Sequence, residues 1–178
     1  MKKYYLFFSL LLIICQASTV SALNNKADNY YNEGVDLYKL GKYELALEAF
    51  NLAIRLNPKN SKAYNYKGLV LDNIGKYDEA IEAFDKAIEL NPNNSKVYYN
   101  KAITLENLGR NNLAIEFYNK AIVLDLNDSE LYVNEAIILA KLGKNELALE
   151  SFNKAIELNP NDSKAYYNRL LSNLMIWN

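Results

Sequence analysis

Between residues 27 and 162 the apolar and small side chains recur with two nested periods. The short period is helical. In residues 61–94, Tyr64, Gly68 and Leu71 share one helical face, and beyond a glycine Ala80, Phe84 and Ala87 share another. The long period is 34 residues: tyrosine stands at Tyr30, Tyr64, Tyr98, Tyr132 and Tyr166, and glycine at Gly41, Gly75, Gly109 and Gly143. A small residue follows each of the first four tyrosines by four places, at Gly34, Gly68, Ala102 and Ala136, with an apolar one three beyond at Leu37, Leu71, Leu105 and Leu139. The second face repeats as Ala46, Phe50, Ala53, then Ala114, Tyr118, Ala121, then Ala148, Phe152, Ala155. A fixed period of this length in a helical pattern predicts stacked helical hairpins, none of which buries its apolar face alone. The fold class is therefore all-α, an α-solenoid. It comprises four repeats, 27–60, 61–94, 95–128 and 129–162, with a truncated fifth unit, 163–178, as a C-terminal capping helix.

The polar positions punctuate this pattern. Ser61, Ser95, Ser129 and Ser163 follow Asn- or Asp-rich turns and are expected to cap the first helices. The turn glycines supply left-handed backbone angles cheaply, and Pro58, Pro92 and Pro160 end the second helices. Leu126 replaces the third proline, which predicts a less sharply stopped helix there. Glu82 with Lys86, Glu116 with Lys120 and Glu150 with Lys154 lie four apart on the outer face, each pair worth about 0.3 kcal/mol.

These residues resemble the tetratricopeptide repeat family, a 34-residue helix-turn-helix unit with this pattern of small, aromatic and proline positions. Tyrosine stands at the fourth position where that family often has tryptophan, and Asn111 and Asn145 replace the tyrosine kept at Tyr43 and Tyr77. The resemblance implies a right-handed superhelix whose first helices line a concave groove that takes an extended peptide or a partner helix.

Positions two, five, six, nine and thirteen of each unit share one side of the first helix. Position six reads Asn32, Tyr66, Asn100, Asn134 and Asn168. A row of amides both donates and accepts, so it can pair with a peptide backbone of any sequence. It resembles the asparagine row in the repeat domain of O-linked N-acetylglucosamine transferase, of whose catalytic domain no part fits here. The bland alternative is that these asparagines are simply wet, in a chain rich in Asn throughout. Position five adds Tyr31, Tyr99 and Tyr167, and position two adds Lys62, Lys96 and Lys164, which would meet an acidic ligand. Val35, Leu69, Ile103 and Ile137 at position nine are either an apolar groove floor or interhelical core. Family members that clamp the C-terminal carboxylates of chaperones carry Lys at position five and Asn at position nine in their first unit. Tyr31 and Val35 stand there instead, so that clamp is not expected.

Residues 1–22 have the order of a secretory signal peptide: Lys2 and Lys3, an apolar run from Tyr4 to Ile14, then small residues ending Val20, Ser21, Ala22. Cleavage near Ala22 predicts an exported protein, periplasmic or secreted. An uncleaved leader would make it a membrane-anchored assembly factor of the cell envelope, and a lipid on Cys15 would anchor it too, although Ile14 stands where a lipoprotein box needs a small residue. The formal net charge of -1 gives no bulk attraction for nucleic acid or anionic lipid. Histidine is absent and Cys15 is the single cysteine, which removes the commonest general base, the commonest metal ligand and any disulfide. No cofactor or metal is expected. Asp72 and Glu106 at position twelve could in principle face one another across the groove, as glycoside hydrolysis needs, but such charges are normally solvated surface and no second catalytic element accompanies them. A non-enzymatic scaffold for a protein or peptide partner is the leading expectation. Self-assembly is the alternative, through the apolar end Leu170, Leu171, Leu174, Met175, Ile176 and Trp177; most of these are expected to pack under the last repeat, with Ile176 and Trp177 left for self-association.

Overall fold

Each 34-residue unit folds as two helices joined by a tight turn, and each hairpin packs on the next. The computed structural model describes the backbone of residues 2–176 and the side chains of residues 21–175. Among the described residues there are nine helices and no strand. The first helices of the units are α1 (Lys2–Lys39), α3 (Ser61–Asn73), α5 (Ser95–Asn107), α7 (Ser129–Lys141) and α9 (Ser163–Ile176). The second helices are α2 (Tyr43–Leu56), α4 (Tyr77–Leu90), α6 (Asn111–Leu124) and α8 (Asn145–Leu158). In α1 the helix runs from Lys2 into the first unit with no turn at residues 22–27. No helix among the described residues is long and apolar enough to cross a membrane.

The turn glycines do what their spacing predicts. All four have φ between 70° and 77°. Around each, two backbone bonds close the helix end: Gly75 N–H donates to Asp72 O at 3.0 Å and Lys76 N–H to Leu71 O at 2.8 Å. This pairing satisfies carbonyls that the ended helix would otherwise leave bare.

The caps correct one expectation. The serines are the first helical residues, and in three units the residue before them does the capping, Asn94 making no such bond: Asn60 Oδ1 accepts from Ala63 N–H at 3.1 Å, and Asp128 Oδ1 from Glu130 N–H at 3.0 Å. Asp162 Oδ1 accepts from both Lys164 and Ala165 N–H. An Asn or Asp side chain one step outside the helix reaches the free N–H groups of its first turn. The end of α6 is a second correction, since it stops at Leu124 in the same register as its counterparts, although Leu126 replaces proline. Asp125 takes the extended backbone of the other stops, so the turn itself ends the helix. On the outer face, Lys86 pairs with Glu89 at 2.7 Å and Lys154 with Glu157 at 3.0 Å, not with the glutamates four before them. Pairs this exposed contribute little to stability.

The core is one ring per hairpin. Phe50, Phe84, Tyr118 and Phe152 are fully buried, each between buried alanines. The small position opposite is a steric demand: a Cβ on Gly68 would lie 2.6 Å from the Phe84 ring, and one on Gly34 2.8 Å from Phe50. Units three and four accept Ala102 and Ala136 there, both buried.

The last helix departs from expectation. Ala165 and Ser172 are its buried residues, while Tyr166, Tyr167, Leu170, Leu171, Leu174 and Met175 are exposed. These apolar side chains therefore do not pack under the fourth repeat. The reason is the register: the face that meets α8 carries small and polar residues, and Leu170 stands at the position that is Gly or Ala in every other unit. Trp177 and the Ile176 side chain lie outside the described residues.

Candidate functional site: the concave face

The first helices stand side by side, and their shared face is tied by bonds between residues 35 apart, one repeat plus one position. At one level Asn100 Nδ2 donates to Asn65 Oδ1 at 3.0 Å, and Asn134 Nδ2 to the Tyr99 hydroxyl at 3.1 Å. At a second level, two turns along, Asn107 Nδ2 reaches Asp72 at 3.3 Å and Lys141 Nζ reaches Glu106 Oε1 at 2.7 Å. A residue and the next position of the following unit lie opposite each other because neighbouring first helices are offset by about one residue.

The proposed amide row is thus divided. Asn100 and Asn134 use their amide nitrogens to bind the preceding unit, while among the described residues no donor reaches their oxygens. Asn168 turns back to its own helix, donating to Lys164 O at 2.9 Å. Asn32 lines an open cleft of about 490 Å³ with Tyr31, Asn57, Asn60 and Lys62. Tyr66 interrupts the row by packing inward, stacked on Phe50 at 5.5 Å between ring centres and edge-on to Tyr31 and Tyr38 at 5.7 and 5.8 Å.

The position-five tyrosines diverge in the same way. Tyr31 belongs to the aromatic cluster around Phe50. Tyr99 is a node in the groove: its hydroxyl donates to Glu130 Oε1 at 2.9 Å while accepting from Asn134. Burial, reinforced by the Glu130 carboxylate, holds this phenol's pKa well above the ordinary tyrosine value. Tyr118 behind it is raised for the same reasons, burial first and then Glu106. Tyr167 is exposed. Lys62, Lys96 and Lys164 are exposed along one lip, and in the fourth unit Glu130 takes their place. Val35, Leu69, Ile103 and Ile137, each partly buried, pack against a buried cluster, and Ile137 also borders an open cleft.

Sequence reasoning missed the acceptors that organise this face. Asp72 takes bonds from Thr104 Oγ1 at 2.7 Å and from Asn107, and Glu106 from Lys141 and from the Tyr118 hydroxyl at 3.4 Å. Both carboxylates weighed as a catalytic pair are thus engaged with neighbouring units. Also unforeseen is the packing between units: Lys101, nearly buried, pairs with Asp85, and both Lys101 Nζ at 4.2 Å and Lys120 Nζ at 4.6 Å lie over the Phe117 ring. The available signal was Phe117 itself, standing where the other units have Ala49, Ala83 and Ser151. Among the described residues no group of acidic, cysteine or histidine side chains is arranged to hold a metal ion.

A concave face built from the first helices of stacked hairpins, tied at one-repeat intervals, defines an open-ended α-solenoid. Tetratricopeptide repeat models match residues 31–95, 83–116 and 129–162. The chain belongs to the tetratricopeptide repeat family. No curated protein matches it by sequence. Among solved structures it is similar to YrrB, described as a TPR protein with an unusual peptide-binding site, at 26% identity and a TM-score of 0.72, covering 88% of this chain and 80% of that one. It shares its fold with MamA 41-end from Desulfovibrio magneticus RS-1, at 24% identity, TM-score 0.77 and 84% coverage of each chain. It also shares it with the first TPR of Spaghetti (RPAP3) bound to the HSP90 peptide SRMEEVD, at 24% identity and a TM-score of 0.64, over 66% of this chain and 94% of that one.

Proposed function

We propose that this protein is a non-enzymatic scaffold that holds an extended segment of a partner protein along its concave face. The observation carrying this reading is the half-used amide row: Asn100 and Asn134 are fixed in place by their nitrogens, and among the described residues no donor takes their oxygens. Fixed acceptors cost little entropy when a peptide N–H arrives, and Tyr99 beside them adds a rigid contact surface. The exposed lysines Lys62 and Lys96 on the lip favour a segment with acidic side chains. The peptide-binding site described for YrrB is consistent with such a use of the fold. Because Asn168 is tied to its own helix and Tyr66 points inward, the segment is held chiefly by the third and fourth units.

The leader supports export. Lys2 and Lys3, the apolar run and Ala22 have the order of a cleaved secretory signal, so the partner belongs to the cell envelope or the medium; retention of the leader would instead leave the scaffold membrane-anchored. Amino-terminal sequencing of the protein recovered from envelope and medium decides between them: a start at or next to Leu23 supports export, and an intact Met1 in the membrane fraction refutes cleavage. The groove is tested by capture from native extracts, comparing the wild type with the triple variant Asn100→Ala, Asn134→Ala, Tyr99→Ala. Loss of the captured partners is expected. An unchanged set of partners with the variant folded sinks the assignment.

A further inference from the structure

The final helix is amphipathic in the reverse sense. It sets Ala165 and Ser172, at 0% and 2% exposure, toward the stack and turns its large apolar residues away from it. Those residues form two adjacent stripes at four-residue spacing. Tyr166, Leu170 and Leu174 run along the end of the stack, at 42%, 58% and 53% exposure, and Tyr167, Leu171 and Met175 run along the groove side, at 62%, 38% and 62%. Beside the second stripe an apolar cleft of about 220 Å³ opens between Ile137, Phe152, Leu171 and Met175.

A solenoid end that meets only water carries a polar face. Six large side chains at these exposures present on the order of 600 Å² of mostly apolar surface, at the upper end for a monomer and close to the ~800 Å² per partner of a standard interface. The shape of the stripe restricts what covers it. In the other units the residue at the place of Leu170 is Gly or Ala because the ring of the same unit's second helix lies against it, 2.6 Å from where a Gly68 Cβ would stand. Leucine at that place leaves no seat for such a ring, so the face is not shaped for a second helix that carries one. Leucine and methionine side chains from an equivalent stripe fit it without that demand.

Charge points the same way. Residues 163–176 contain Lys164 and Arg169 and no acidic residue. Arg169 is already held, donating to Asn153 Oδ1 at 3.0 Å and lying 5.4 Å from the centre of the Tyr166 ring. Lys164 sits in the first turn, at the unfavourable positive end of its own helix dipole, and an antiparallel helix alongside brings the negative carboxyl end of a second dipole to it. A single free lysine beside the face is a weak attraction for an anionic lipid surface, which calls for clusters of cations.

We propose that two copies of this chain pair through α9, antiparallel about a two-fold axis near Leu170 and Leu171. The paired helices bury both stripes and close the apolar cleft of each copy. The concave faces remain open over the second to fourth units, so groove binding and pairing are separable functions. Leu170 and Leu174 are not groove residues, and their substitution leaves the peptide contacts in place.

The test uses the full chain. Sedimentation velocity of the wild type is expected to show a dimer, and Leu170→Asp with Leu174→Asp a monomer of unchanged helicity by circular dichroism. Because the leader is itself apolar, a second measurement locates the contact: in a Cys15→Ser background, Leu170→Cys is expected to form a disulfide-linked dimer at least about tenfold faster than the exposed control Glu82→Cys, as a held contact raises the local thiol concentration. A wild type that stays monomeric overturns the proposal. So does a dimer that survives both aspartates, or one in which the two cysteine variants cross-link alike. Pelleting with phosphatidylserine vesicles that depends on Leu170 and Leu174, in a protein monomeric without them, would assign the face to a membrane instead.

Discussion

The junction between the first and second hairpins is closed by rings, and that between the third and fourth by a hydroxyl, an amide and a carboxylate. The backbone positions are equivalent. At position six Tyr66 reaches inward to stack on Phe50, whereas Asn134 reaches sideways to the Tyr99 hydroxyl, which in turn binds Glu130. The contrast extends to the second helices. Tyr43 packs on Tyr38 at 5.9 Å between ring centres, while Asn145 occupies the matching place in the fourth unit with its Oδ1 buried and unpaired. The fourth unit also buries Glu135, which takes its bond from Ser151 Oγ at 2.9 Å. A repeat fold tolerates either solution because each unit answers only to its neighbours. The consequences differ: an aromatic junction uses no amide, and a polar one leaves, among the described residues, amide oxygens without a donor.

Exchanging the two solutions is the strongest way to break this contrast. Tyr66→Asn completes the amide row but removes three ring contacts, so it is expected to cost about 2 kcal/mol in urea unfolding while extending peptide contact toward the first unit. Unchanged stability would mean that the rings are incidental to that junction. The reverse move is Asn145→Tyr, which restores the residue found at Tyr43 and Tyr77 and removes a buried oxygen without a partner. A gain of about 1.5 kcal/mol is expected, and a loss would show that the fourth unit has closed around the asparagine.

Tyr99→Phe takes the hydroxyl from between Asn134 and Glu130 and is expected to cost about 1 kcal/mol, with a larger effect on peptide affinity than on the thermal midpoint. Equal effects on both would make the network purely structural. The smallest expected effect is at Glu135. Burial raises this carboxyl's pKa above its unfolded value, with the Ser151 bond opposing. The folded state therefore holds the proton more tightly than the unfolded one, and that contribution is present below the unfolded pKa and lost as pH rises through the folded one. Glu135→Gln is expected to raise the midpoint by about 2 °C near pH 7, with the difference vanishing near about pH 3, where both side chains are neutral. A difference that persists in acid would trace the effect to packing.

The hairpin, its turn and its core ring were legible along the chain because each depends on residues within one 34-residue unit. Gly75 has the positive φ its place demands, and Phe84 is buried opposite Gly68. The candidate site was legible only in part. The concave positions were identified by helical spacing, but the partners of Asn100, Tyr99, Asp72 and Glu106 lie in the neighbouring unit, one residue out of register with the repeat. The capping serines were displaced by one position for a simpler reason. Asn, Asp and Ser all serve as caps, and only the backbone shows which of two adjacent candidates stands outside the helix.

Sequence alone determined that this protein is a stack of tetratricopeptide hairpins, since period, turn and packing chemistry are local and repeat. Tertiary structure decided which neighbours its asparagines bind, and that the large apolar residues of the last helix stay exposed. Those outcomes depend on how one unit sits on the next. In residues 163–176 the repeat places Ala165 and Ser172 with the buried residues Ala63 and Val70, and only the packing on α8 shows that the leucines beside them stay outside.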